Sequence, residues 1–142
     1  MASNKANKKR HSTETDMDPF LQNPSVYRRL VGRLSYLTMT RPDICFVVQT
    51  LSQFMSAPRK SHMEAATCVV RYLKGSPGMG IFLAATNRTN LECYVDSDWA
   101  ACHDTRRSVT GFVLKFGGSP ICWKSKKQQT VSKSSAEAST EL

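Results

Sequence analysis

Acidic residues are scarce in this 142-residue chain: 11 Asp and Glu stand against 20 Lys and Arg, a net charge of +9. From 105 to 136 there is none at all, while Arg106, Arg107, Lys115, Lys124, Lys126, Lys127 and Lys133 fall there. A Lys and Arg surplus often makes only a solvated surface. An excess this large favours nucleic acid or another polyanion, with the one-signed segment as the candidate phosphate-contacting face. No apolar run reaches the roughly 18 residues of a membrane span. The opening MASNKANKKRHSTETD lacks the apolar core of a secretory signal and the Arg-rich amphipathic pattern of a transit peptide. Cys45, Cys68, Cys93, Cys102 and Cys122 are odd in number and widely spaced, with no CxxC and no Cys/His pairing. This argues against a zinc site and against a disulfide framework. It leaves small core residues in a reducing compartment, hence an intracellular protein, cytoplasmic or nuclear rather than secreted.

The length allows one domain, or a small domain with an attached piece. Residues 1–20 are polar, with a basic cluster at Lys5, Lys8, Lys9 and Arg10; they read as a disordered tail. Asn23 and Pro24 then supply an N-cap and a first helical residue. Tyr27, Leu30, Leu34 and Leu37 form an apolar stripe at helical spacing. Pro42 and Asp43 suit the first turn of a second helix. Its buried face is Ile44, Val47, Val48, Leu51, Phe54 and Met55, and Pro58 ends it. Ser61 and Glu64 form a capping box with His62 exposed between them. The third helix runs through Ala66, Val70 and Leu73 to Gly75. Residues 21–78 thus read as packed helices without a catalytic constellation.

The period then changes from 3.6 to 2. Short strands are expected at 79–83, 91–99, 109–116 and 120–124, with a further one at 129–132. Gly117 and Gly118 make a hairpin turn, and 125–128 is a polar link. Ser134 and Glu137 cap a final short helix. The fold class is therefore α+β, a helical segment followed by a mixed sheet. The chain stops where that last helix has barely begun, which reads as truncation.

The stretch that organises this half is LECYVDSDW at 91–99. Its apolar residues alternate with polar ones, and it ends in Asp96 and Asp98 on one face. Carboxylates at a strand end are cheap in a turn, costly if buried unpaired, and useful if they hold a cation.

The flanking motifs carry a family. YVDSDWA, TRRSVTGFV and GGSPICWKSKKQQTVSKSSAEA resemble the RNase H domain of copia-type retrotransposon Pol polyproteins, especially those of plants. YRRLVGRLSYLTMTRPDICFVVQTLSQFM and RYLKG resemble the end of the reverse transcriptase region of the same polyproteins. The resemblance covers roughly residues 20–138, with several long segments in the right order. It implies a thumb- and connection-like segment at 21–78. At 79–142 it implies a partial RNase H-like domain, truncated in its first helix.

The resemblance also implies an activity: Mg²⁺-dependent cleavage of the RNA strand of an RNA–DNA hybrid by two metal ions. Four carboxylates from different elements hold those ions. Asp96 matches the first, on a central strand, and is the implied catalytic and metal-binding residue. The family helix reads SSTEAEY, and its second Glu is the next ligand. In this chain that position is Ser139, Glu137 matches the capping Glu, and Glu141 lies about 200° round the helix from Ser139. The remaining two carboxylates are expected beyond Leu142, and the reverse transcriptase Asp pair before residue 1.

Asp96 is therefore expected to be vestigial, with Mg²⁺ not stably held and the chain inactive. Arg106, Arg107, Lys124, Lys126 and Lys127 are implied to lie on the hybrid-binding side, and Trp123 among them could stack on a base. Three readings stay open: an inactive polyprotein remnant, a live RNase H domain completed by other carboxylates, and a non-enzymatic basic nucleic-acid-binding protein. None involves a small-molecule substrate or a membrane.

Overall fold

The computed structural model describes residues 18–102 and 105–140. The basic cluster at Lys5, Lys8, Lys9 and Arg10 lies outside the described residues. Among the described residues four α-helices and three strands follow one another: α1 (Pro24–Leu37), α2 (Cys45–Ser52), α3 (Lys60–Gly75), β1 (Leu91–Asp98), β2 (Val109–Phe116), β3 (Ser119–Lys127) and α4 (Ser135–Thr140). Helix α1 starts where its signals put it: Asn23 Oδ1 accepts from Ser25 N at 3.2 Å, with Pro24 as the first helical residue. A 3₁₀ turn, Pro42–Ile44, leads into α2. That helix ends at Ser52, well before Pro58, because the chain from Gln53 to Met55 continues as turns.

The helical core is Tyr27, Val31, Leu34, Ile44, Val48, Leu51, Ala66 and Val69, all buried. Val69 takes the inward place expected of Val70, and Leu37 is partly exposed. Tyr27 donates its buried hydroxyl to Leu51 O at 2.7 Å, joining α1 to α2. Buried Arg41 makes a paired contact with Asp43, at 3.0 and 2.8 Å, and donates to Ser76 O at 3.1 Å. Arg41 holds the Asp43 carboxyl below its ordinary range.

The start of α3 differs from the expected capping box. Arg59 is the N-cap, and its N–H donates to His62 Nδ1 at 3.1 Å. Ser61 bonds instead to Asp18, through its N–H at 2.9 Å and its hydroxyl at 2.6 Å. His62 is not a solvent-facing residue: its ring stacks on Phe54 with centroids 3.9 Å apart. Asp18 and Phe20, assigned by sequence to the disordered tail, are ordered here. Phe20 bridges to Arg59 and its ring lies under the guanidinium at 4.5 Å.

The expected strand at 79–83 does not form. No described strand edge accepts it, and Phe82 and Leu83 are exposed. The sheet has order β1-β2-β3 and is antiparallel throughout rather than mixed. β1 is thus an edge among the described residues, not a central strand. Gly117 and Gly118 turn β2 into β3 with φ of 57° and 82°, the left-handed values such hairpins need. A Cβ on Gly117 would also lie 2.7 Å from Arg88 O. β3 runs on through Lys127, absorbing the expected polar link, and 129–132 is not a strand. Cys68, Cys93 and Cys122 are exposed, not core residues.

Candidate nucleic-acid interface

Directly opposed residues of antiparallel strands share a face. Asp96 opposes Gly111, which opposes Ser125; Tyr94 opposes Val113, which opposes Trp123. This face looks toward the helices: Trp123 Nε1 donates to Thr38 O at 2.7 Å, and Lys127 Nζ to Gln53 Oε1 at 2.8 Å. Between them lies an open cleft of about 530 Å³, bordered by Pro42, Cys45, Phe46, Tyr94, Asp96 and Trp123. Asp96 is exposed there, its Oδ1 accepting from Ser97 N at 2.9 Å. Burial pushes the Cys45 thiol of this cleft up from its ordinary pKa.

Helix α4 covers the opposite face. Ser97 Oγ donates to Ala138 O at 3.0 Å, and Gln128 Nε2 donates to the same oxygen at 2.6 Å. Asp96 therefore points away from the face on which α4 docks. Ser139 is exposed and turns its hydroxyl back onto Ser135 O at 2.9 Å. Glu137 serves the helix start: its N–H donates to Ser134 Oγ at 3.3 Å, and its Oε2 accepts from Lys133 N at 2.6 Å.

A divalent metal pair needs several oxygens converging from different elements. Asp96 and Asp98 supply carboxylates from a single strand. Among the described residues no group of three His, Cys, Asp or Glu could hold a metal ion. These residues do not fit a two-metal site.

The predicted cations are divided by the strand period. Lys124 opposes Phe112 and Lys126 opposes Thr110, both on the α4 face. Lys127 lies on the other face, engaged with Gln53. Arg106 and Arg107 are exposed in the loop between β1 and β2. That loop leaves the sheet where Val109 opposes Lys127, so the arginines and Lys126 share one end of the sheet. Arg106 has φ of 55°, a left-handed conformation costing roughly 1 kcal/mol away from glycine. Two backbone bonds hold it, Arg106 N to Cys102 O at 2.7 Å and Cys102 N to Arg107 O at 3.1 Å. Lys115 is spent on the Tyr94 ring, 4.8 Å from its centroid.

Sequence reasoning overlooked Gln128 and Phe112. Gln128 is buried and gathers Thr110 Oγ1 at 2.8 Å, Ser132 Oγ at 3.0 Å and Ala138 O. Phe112 borders a second cleft of about 530 Å³ with Lys124 and Lys126. The strand period, continued past Lys124, places Lys126 and Gln128 on one face and would have found Gln128; Phe112 joins them only through its pairing with Lys124.

Comparison with known proteins decides the lineage. The chain is 47% identical over 118 residues to the Retrovirus-related Pol polyprotein from transposon RE1 of Arabidopsis thaliana, covering 83% of this chain and 8% of the relative. The chain belongs to the copia-type retrotransposon Pol polyprotein family. It spans about 8% of the length of the Pol polyproteins it matches. Shorter relatives match as well. The Arabidopsis mitochondrial protein AtMg00240 is 56% identical over 77 residues, 54% of this chain and 69% of that protein. The Secreted RxLR effector protein 161 of Plasmopara viticola is 40% identical over 112 residues, 78% of this chain and 79% of that protein. No family model matches, and no solved structure matches.

Proposed function

We propose that this Pol-derived chain binds RNA–DNA hybrid and does not cleave it. The observation that carries the reading is the separation of charge. The segment 105–136 holds seven cations and no carboxylate, Arg106, Arg107, Lys124 and Lys126 being exposed. Among the described residues the α4 carboxylate, Glu137, is engaged at the helix start, and the position where the family resemblance calls for a ligand is Ser139. In this reading 21–78 is the thumb- and connection-like end of a reverse transcriptase and 79–142 opens an RNase H-like domain. The arginine loop and the two lysines contact the phosphate backbone, which requires no metal.

The test is fluorescence anisotropy of a labelled RNA–DNA hybrid against salt. Four phosphate contacts give a slope of log affinity on log salt of about −3.5. Arg106→Gln with Arg107→Gln reduces it by about 2. A slope near zero, or no binding at low salt, overturns the reading.

A further inference from the structure

The second cleft, on the face of the sheet that α4 partly covers, has no assigned role. Thr110, Phe112, Lys124, Lys126, Gln128 and Thr140 line it, and among the described residues no carboxylate does. The central strand β2 supplies Thr110 and half-buried Phe112. Edge strand β3 supplies their direct partners, Lys126 and Lys124, both exposed. Residues two apart on a strand are about 6.7 Å apart, so the two ammonium groups can each meet a phosphate of one strand. Gln128, buried and bonded to Thr110, Ser132 and α4, fixes the inner wall. An aromatic ring beside paired cations and hydroxyls is the chemistry of a nucleotide, base on the ring and phosphate on the lysines.

We propose that this cleft takes one unpaired nucleotide of a strand that adjoins the hybrid. Bases within a duplex are stacked on one another and cannot reach a ring recessed in a cleft. A single-stranded extension can turn a base outward. This inference rests on the hybrid-binding reading and adds to it the identity of the Phe112 cleft as a base-and-phosphate subsite.

Three labelled probes separate the possibilities: a blunt RNA–DNA hybrid, the same hybrid with a single-stranded DNA extension, and that extension with abasic residues. The extended hybrid binds at least fivefold tighter than the blunt one, within the range of a stacked base. The abasic extension loses that gain. Phe112→Leu, which keeps an apolar strand residue, removes the gain for the normal extension and leaves blunt and abasic probes unchanged. Lys124→Gln with Lys126→Gln lowers the salt slope for every probe. A fold defect would instead weaken all probes alike, and circular dichroism melts of each variant expose it. If blunt and extended hybrids bind equally, the subsite is refuted while hybrid binding stands. If no probe binds, both readings fall.

Discussion

Gln128→Leu tests how the short last helix is held. The side chain is buried, and its hydrogen bonds include those to Thr110 Oγ1, Ala138 O and Ser132 Oγ. Leucine fills a similar volume but satisfies none of them. Each bond contributes about 1 kcal/mol net, so losing these three costs at least about 3 kcal/mol. That is a large fraction of the 5–15 kcal/mol typical of a domain, and lowers Tm by about 10 °C. The six residues of α4 cannot stay helical unaided, so the loss is local first. Amide exchange at Ala138, whose N–H donates to Ser134 O at 3.1 Å, should quicken. The β2–β3 ladder should keep its protection near the midpoint of the sheet. Trp99 gives an optical signal, since its Nε1 donates to Ser132 O at 3.0 Å. Urea denaturation followed by tryptophan emission, with exchange mass spectrometry, reads both. A change within about 0.5 kcal/mol, the ordinary range of surface substitutions, with α4 exchange unaltered, would refute the reasoning.

Two further predictions concern the helical core. Burial raises the Tyr27 hydroxyl above its ordinary pKa. The folded chain therefore holds this proton more tightly than the unfolded chain, and the contribution is full below about pH 10 and lost as pH rises through the raised value. Tyr27→Phe should cost about 1 kcal/mol at neutral pH, because Leu51 O keeps its bond from Phe54 N at 3.1 Å. It should also flatten the alkaline fall in stability; a fall as steep as the parent's counts against this. Gln49 Oε1 is buried with no hydrogen-bond partner among the described residues, beside a small open pocket of about 170 Å³ that Trp123 also lines. Gln49→Met should stabilise the chain by about 1 kcal/mol, and a lower melting temperature would contradict that.

What was legible in the sequence is what local chemistry decides. Asn23 and Pro24 mark the start of α1 because an N-cap and a fixed φ act within a few residues. Gly117 and Gly118 mark the hairpin because the turn needs positive φ. Asp96 stands at the polar end of an alternating strand for the same local reason. Features that depend on distant partners were not legible. Asp18 reaches across 43 positions to bond Ser61, displacing the nearby capping box. Residues 79–83 are apolar and read as a short strand, but they pair with no described edge. The lysine run reads as one patch in sequence, yet strand alternation and the contact with Gln53 send Lys127 to the other face. Whether Asp96 and Ser139 share a face depends on where α4 docks, and Ser97 and Gln128 decide that through Ala138 O.

The most direct measurement of the central claim is a single incubation of the chain with an RNA–DNA hybrid labelled on its RNA strand, with and without Mg²⁺. Anisotropy reads binding, and a denaturing gel of the same sample reads cleavage. The account predicts salt-sensitive binding that Mg²⁺ does not require, and intact RNA in both samples. RNA cut only with Mg²⁺, and no longer cut in Asp96→Asn, would contradict it and establish Asp96 as part of a working site.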